Sequence, residues 1–125
     1  MKKTIASITL AGIWITFFEF LRNEILLKNY WINHFSSIGL DFKTTPLNGV
    51  LWTVWSFLLA YLIFSFLEKY SFQKTIWLSW ISAFLMMWIT IYNLQVLPII
   101  LLLFAVPFSL IEVVIAILII KRFGN

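Results

Sequence analysis

The sequence predicts an all-α integral membrane protein, a compact four-transmembrane-helix bundle with a short interfacial helix in the first outer loop. Three observations carry this. Hydrophobic residues make up 62% of the 125 residues and charged residues 11%, against about 45–50% and about 25% in soluble domains. The 13 Phe, 7 Trp and 4 Tyr present more apolar surface than a soluble core of this length can hide. The chain also divides into four apolar stretches, each near the roughly 20 residues a helix needs to cross a bilayer core. Residues 1–125 therefore read as one membrane domain.

The first stretch covers residues 4–27. It follows Lys2 and Lys3 like the opening of a signal peptide, but after Ala11-Gly12 the chain runs on as Ile-Trp-Ile-Thr-Phe-Phe without an A-x-A-like cleavage site. It reads as an uncleaved helix. The second stretch, 46–67, carries no charge. Thr44-Thr45-Pro46 opens it as an N-cap followed by proline at the first helical position. No charge lies between Lys74 and Glu112. At helical rise that segment would span roughly 55 Å, too long for a hydrocarbon core of about 30 Å. Asn93-Leu94-Gln95-Val96-Leu97-Pro98 breaks it, two amides and then a helix-starting proline. The third and fourth spans are thus 75–92 and 98–120. Between the first two spans, Trp31, Ile32, Phe35 and Ile38 fall on one side of a short helix suited to the membrane–water interface, with Gly39 to end it.

Basic residues orient the spans. Lys2, Lys3, Lys69, Lys74, Lys121 and Arg122 fall on one side, and Lys28, Lys43 and Arg22 on the other. By the positive-inside rule both termini are cytoplasmic in a multi-pass protein of the plasma (inner) membrane. Trp52 and Trp77 fit interfacial belts. Trp14, Trp55, Trp80 and Trp88 lie deeper, as lipid-facing residues or cavity walls.

Small and polar residues recur on one face of each span. They are Thr9, Gly12, Thr16, Glu19 and Asn23 in the first, then Gly49, Thr53, Ser56 and Ala60. Thr75, Ser79 and Ser82 follow in the third span, and Ala105, Ser109, Glu112 and Ala116 in the fourth. Steps of three and four keep each set on one helical face. Lipid provides no hydrophobic drive between helices, so small residues that permit close approach mark the packing face. The stripes predict either a packed seam or a polar cavity along the bundle axis.

Two carboxylates lie on these stripes. A charge at the centre of a transmembrane helix costs about 2.5–3.5 kcal/mol on insertion scales and marks a site by default. Glu19 has Arg22 and Asn23 at i+3 and i+4, the spacing of an ion pair. Glu112 has no cation nearer in its own helix than Lys121. Burial there favours a neutral carboxyl that donates a hydrogen bond, with Tyr61 and Ser82 as the expected partners. Counting helical rise from the cytoplasmic ends puts Glu112 about 12 Å deep and Glu19 about 22 Å deep, too far apart to share a proton. Pro107, five residues before Glu112, cannot donate to the Leu103 carbonyl and would open the bundle beside it. In the outer loop His34 and Asp41 are the remaining candidates, as a general-base pair.

Other chemistries are excluded. Without cysteine there is no thiolate metal site or thiol nucleophile, and one histidine builds no multi-histidine cage. The +4 net charge is too small and scattered for nucleic acid. No cofactor motif or catalytic motif is present, so the residues lean away from an enzyme. Beyond the lipid bilayer as its surroundings, the expectation is a binding or transport module for a lipid or a hydrophobic, cationic small molecule. It would use a polar cavity within the bundle near Glu112, with Tyr61, Ser82, Ser109, Glu19 and Arg22 about it. The alternative is a structural or accessory subunit, in a homo-oligomer or a larger membrane complex, with no cavity of its own.

The charge bias gives a direct test of orientation. Reporter fusions after Lys3, at Tyr70 and after Asn125 should report the cytoplasm, and one at Thr44 the outside. A cytoplasmic signal at Thr44 would reverse the assignment.

Overall fold

The computed structural model describes residues 1–42 and 45–124, and all of its regular structure there is helical. Four helices are long and apolar enough to cross a membrane: α1 (Lys2–Leu26), α3 (Pro46–Leu67), α4 (Phe72–Asn93) and α5 (Ile99–Phe123). The short helix α2 (Lys28–Ser37) lies between the first two. Lys43 and Thr44, which figure in the charge bias and in the expected cap, are outside the described residues. The long helices run up and down in sequence order. α1 packs on α3 and α5, and α4 closes the other side against the same two.

Local chemistry sets the helix ends. Thr45 and Asn48 form a capping box, Asn48 N–H donating to Thr45 Oγ1 and Thr45 N–H to Asn48 Oδ1, with Pro46 at the first helical position. Ser71 caps α4 through Lys74 N–H. The Leu40 and Gly39 amides reach back to the Phe35 and Ser36 carbonyls, and Gly39 at φ 77° ends α2 where the left-handed backbone favours glycine. Val96 and Gln95 close α4 in the same way, with Gln95 itself at φ 64°.

The half of the bundle that carries the two chain termini is packed through small residues. Ser7, Ala11, Ser56, Ala60, Thr75, Ser79 and Ala116 are all fully buried there. Gly12 is essential to this approach, because a Cβ built on it would lie 2.6 Å from the Phe57 ring. The half at the α2 end is filled by rings. Phe84 is fully buried between Trp55 and Trp88, at centroid distances of 5.5 and 5.7 Å. Two π-turns occur in this wider half, Leu21–Leu26 in α1 and Ile81–Leu85 in α4.

The stripes differ from expectation in α1, α3 and α4, and in α3 Gly49 is exposed and Thr53 half-buried. In α1 the interior face is Ser7, Ala11, Gly12, Ile15, Glu19 and Arg22, which keeps Gly12 and Glu19 of the expected set and replaces the rest. Thr9 is exposed and Thr16 is half-buried. In α4, Thr75 and Ser79 point inward as expected, but Ser82 is exposed and donates to its own Leu78 carbonyl. The π-turn is the cause. Across it the buried positions pass from Ser79 to Ala83 and Phe84 and then to Trp88, so the interior face no longer includes position 82. All four stripe residues of α5 are buried, and Pro107 lies inside a continuous helix on an exposed face. Large apolar side chains, among them Phe17, Phe20, Leu58 and Leu103, cover the outer surface.

Close approach at Gly12 and Ala60 gives a packing test. Gly12→Leu or Ala60→Leu should lower stability in detergent by about 1–3 kcal/mol through overpacking, read as a lower midpoint of thermal unfolding. The same change at exposed Ile13 or Tyr61 should leave the midpoint near wild type.

Candidate functional site

The polar centre of the bundle is built from α1 and α5. Arg22 lies in the π-turn of α1, one turn beyond Glu19, and both are buried at 3% exposure. One guanidinium nitrogen, Nη2, donates to both carboxylate oxygens of Glu19 at 2.7 and 2.6 Å. Asn23 Nδ2 adds a third donor to the same carboxylate at 2.9 Å. Trp31 donates to Asn23 Oδ1 and so ties α2 to this network. The opposite face of the bundle supplies Phe84, whose ring lies 5.1 Å below the guanidinium carbon. The two π-turns thus bring their central residues together across the interior. Arg22 Nη1 is buried without a partner.

Glu112 sits beside this pair. It is fully buried, and no donor meets either carboxyl oxygen. The ionisable groups near enough to act on it are the Glu19 carboxyl and the Arg22 guanidinium. Two ionised carboxylates so close would repel, and a single proton between them removes the repulsion. The backbone at Glu112 is also pinned, because Trp14 Nε1 donates to its carbonyl at 3.0 Å. One turn away, Trp80 Nε1 donates to Ser109 Oγ at 2.8 Å.

The expected separation of the two carboxyls is therefore corrected. Counting rise had placed Thr4 level with Ile120. In the structure Gly124 packs beside Ser7, three residues further along one helix and four further along the other. At helical rise that shift of register is about 10 Å, the whole of the expected gap. The expected partners of Glu112 are corrected as well. Tyr61 is 57% exposed on the face of α3 opposite Ala60's neighbours in the core, and Ser82 is turned out by the π-turn of α4. Neither approaches Glu112. Ser109 is buried one turn from it but spends its hydroxyl on the Val106 carbonyl and on Trp80.

A cavity of about 920 Å³ lies between α1 and the first turns of α3, not around Glu112. Phe17, Phe20, Val50, Trp52 and Val54 make its walls, and Thr16, Glu19, Asn23, Asn48 and Thr53 its polar parts. Gly49 leaves it open, since a Cβ there would touch nothing within 4 Å. The groove thus reaches Glu19, and Glu112 lies behind that residue. The spacing of Gly49 and Thr53 predicts the α3 stripe, as packed seam or as cavity along the bundle axis. The two residues line this groove because the polar-capped start of α3 stands away from α1, while the two helices close together at Gly12.

His34 and Asp41 do not form a pair. His34 Nε2 lies 2.8 Å from the Gln95 carbonyl, tying α2 to the turn between α4 and α5, and Asp41 is exposed. Trp31 and Phe35 pack with Phe42 instead, Trp31 stacked on it at 5.9 Å. Among the described residues no three His, Asp or Glu side chains gather as they would around a metal ion.

The ion pair predicts an asymmetric mutational response. Arg22→Met should destabilise the protein by about 3–5 kcal/mol, because it strands Glu19 as a buried charge. Adding Glu19→Leu should recover most of that loss. Unfolding of both variants in detergent, with Glu19→Leu alone, completes the cycle.

No protein-family model matches the chain, and neither does any curated protein or solved structure, so the reading of this site rests on its own geometry.

Proposed function

We propose that this chain is a multi-pass protein of the plasma membrane, its termini cytoplasmic and α2 at the outer interface. There it works as a binding or transport module for a hydrophobic, cationic small molecule or a lipid. One observation carries the reading: an apolar groove of about 920 Å³ has Glu19 in its lining, and the Glu19 carboxyl interacts with that of buried Glu112. Its size falls within the roughly 300–1,000 Å³ of small-molecule sites, which are also mostly apolar with a few placed polar groups. Its mouth lies between two helices whose outer faces are covered with apolar side chains, which suits a ligand arriving from the bilayer.

Charge counting gives the mechanism. Arg22 balances one of the two carboxylates. The remaining negative charge can be met by a proton on Glu112 or by a cation in the groove. The two compete, because either one alone neutralises the cluster in a medium of low dielectric. Binding of a cation is thereby linked to release of a proton. Asn23 and Arg22 hold the Glu19 carboxylate in place, so the exchangeable charge belongs to the pair as a whole and not to either residue.

Thermal stability of the detergent-solubilised protein, measured against tetraphenylphosphonium, dodecyltrimethylammonium, a phosphatidylglycerol and a neutral detergent analogue, tests this. The lipophilic cations should raise the unfolding midpoint, more strongly as pH rises, because the proton they displace becomes less available. Glu112→Gln should fold like wild type, since the amide keeps the shape, and should lose the response to pH. Stabilisation by the anionic lipid alone would make the ligand a lipid. No response to any of the four, together with a silent Glu112→Gln, would favour the accessory-subunit reading.

A further inference from the structure

The groove accounts for access to Glu19, but Glu112 is fully buried and does not line the groove. If Glu112 gains and loses a proton, that proton needs a route of its own. The interior offers one on the side away from the groove. Five serine and threonine side chains are fully buried in the long helices: Ser7, Ser56, Thr75, Ser79 and Ser109. Ser7, Ser56 and Ser109 each donate to a carbonyl three or four residues back in their own helix, the usual way a hydroxyl is satisfied in an apolar helix. Thr75 Oγ1 and Ser79 Oγ do neither that nor anything else, and both are buried without a partner.

These two hydroxyls lie four residues apart, on one face of α4. Ser79 adjoins Trp80, whose indole bonds Ser109 of α5, and Ser109 is one turn from Glu112. Ser79 is therefore level with the Ser109–Glu112 turn. Thr75 lies one turn nearer the end of the bundle that carries the termini, where α4 starts at Phe72 and Lys121 stands over the Phe72 ring at 5.2 Å. The orphaned oxygens thus run in order from that end of the bundle to the carboxyl. Buried polar groups without protein partners are where internal water is held, and a water needs two to four polar contacts. Thr75 Oγ1, Ser79 Oγ and the two Glu112 oxygens are buried atoms with that capacity unused.

We propose that Thr75 and Ser79 form a hydrated proton path from the terminal end of the bundle to Glu112. This rests on the reading of Glu112 as a proton site, and it adds a direction. The proton enters from the terminal end, through hydroxyls that each accept one proton and pass on another, and it comes to rest on Glu112. The ligand approaches Glu19 from the other side. The charged groups facing Glu112 are Glu19 and Arg22 from α1. α3 brings none, and the one charge of α4, Lys74, is exposed with its ammonium over the Tyr70 ring. The two carboxyls stand back to back, one at the end of the groove and one at the end of the path.

Infrared spectroscopy of the full chain in phosphatidylcholine films tests this. The protonated-carboxyl stretching band that disappears in Glu112→Gln identifies the residue, and its shift after transfer to D2O times the arrival of a deuteron. Thr75→Val with Ser79→Ala should slow that shift about tenfold or more, the loss of roughly one hydrogen bond's worth of barrier lowering. Thr75→Ser, which keeps the hydroxyl, should exchange like wild type. Both changes remove unpaired polar atoms, so the double variant should fold at least as stably as wild type. An unchanged rate in the double variant, with slowing instead in Gly49→Trp, which fills the groove, would put the entrance at Glu19 and overturn the path while leaving the proton site standing. Absence of any band that Glu112→Gln removes would overturn both.

Discussion

Three ionisable side chains buried in one apolar interior, two carboxyls and a single guanidinium, set the condition that the rest of the bundle meets. An unpaired ion in such surroundings costs several kcal/mol even after relaxation. Arg22 and Glu19 satisfy each other at 2.6–2.7 Å, and the neighbouring structure is arranged to keep them so. The π-turn at Leu21–Leu26 carries Arg22 into the interior. The second π-turn, in α4, delivers Phe84 beneath the guanidinium, where a ring face replaces part of the lost hydration. Asn23 completes the carboxylate, and Trp31 holds Asn23. α2 is in this way fastened to the buried charge.

The bundle has two halves because its helices solve two packing problems. At the terminal end small residues let α1, α3 and α5 approach closely, and Gly12 against Phe57 is the tightest point. At the other end the buried ion pair and its rings take up more width than small residues would. α3 starts there from a polar capping box and stands off from α1. The groove is the space left by this change of width, which explains why Glu19 stands at its inner end. Site and architecture share one cause.

The sequence made the helices legible where a local chemical signal existed. Thr44-Thr45-Pro46 announced the start of α3, and Asn93 to Pro98 announced the break between α4 and α5. The α5 stripe of Ala105, Ser109, Glu112 and Ala116 was readable because that helix is regular through all four positions. The i+3 and i+4 spacing also pointed to Arg22 and Asn23 beside Glu19. What escaped depended on quantities that no local pattern encodes. Ser82 lost its phase to one wide turn. The level of Glu112 depended on how far α5 slides along α1, and a few residues of slide decide whether two carboxyls stand 10 Å apart or interact. The groove escaped for a related reason. Glycine and threonine at helical spacing read the same whether the neighbouring helix is in contact or has moved away.

The hydrogen bonding around Glu19 and Glu112 differs in kind. Glu19 is held by three donors, all of which require its negative charge or its lone pairs. Protonating it would set a buried hydroxyl against the guanidinium and leave Arg22 without its counter-charge. Glu112 has no such obligations, because no donor meets its oxygens. It can carry a proton without breaking anything, and that proton can point at Glu19. On the proposed reading the groove and the proton path therefore communicate through a fixed carboxylate and a variable one. A cation arriving at Glu19 draws on the same negative charge that holds the proton on Glu112. The two sites are linked by that shared charge, with no helix required to move for one to sense the other.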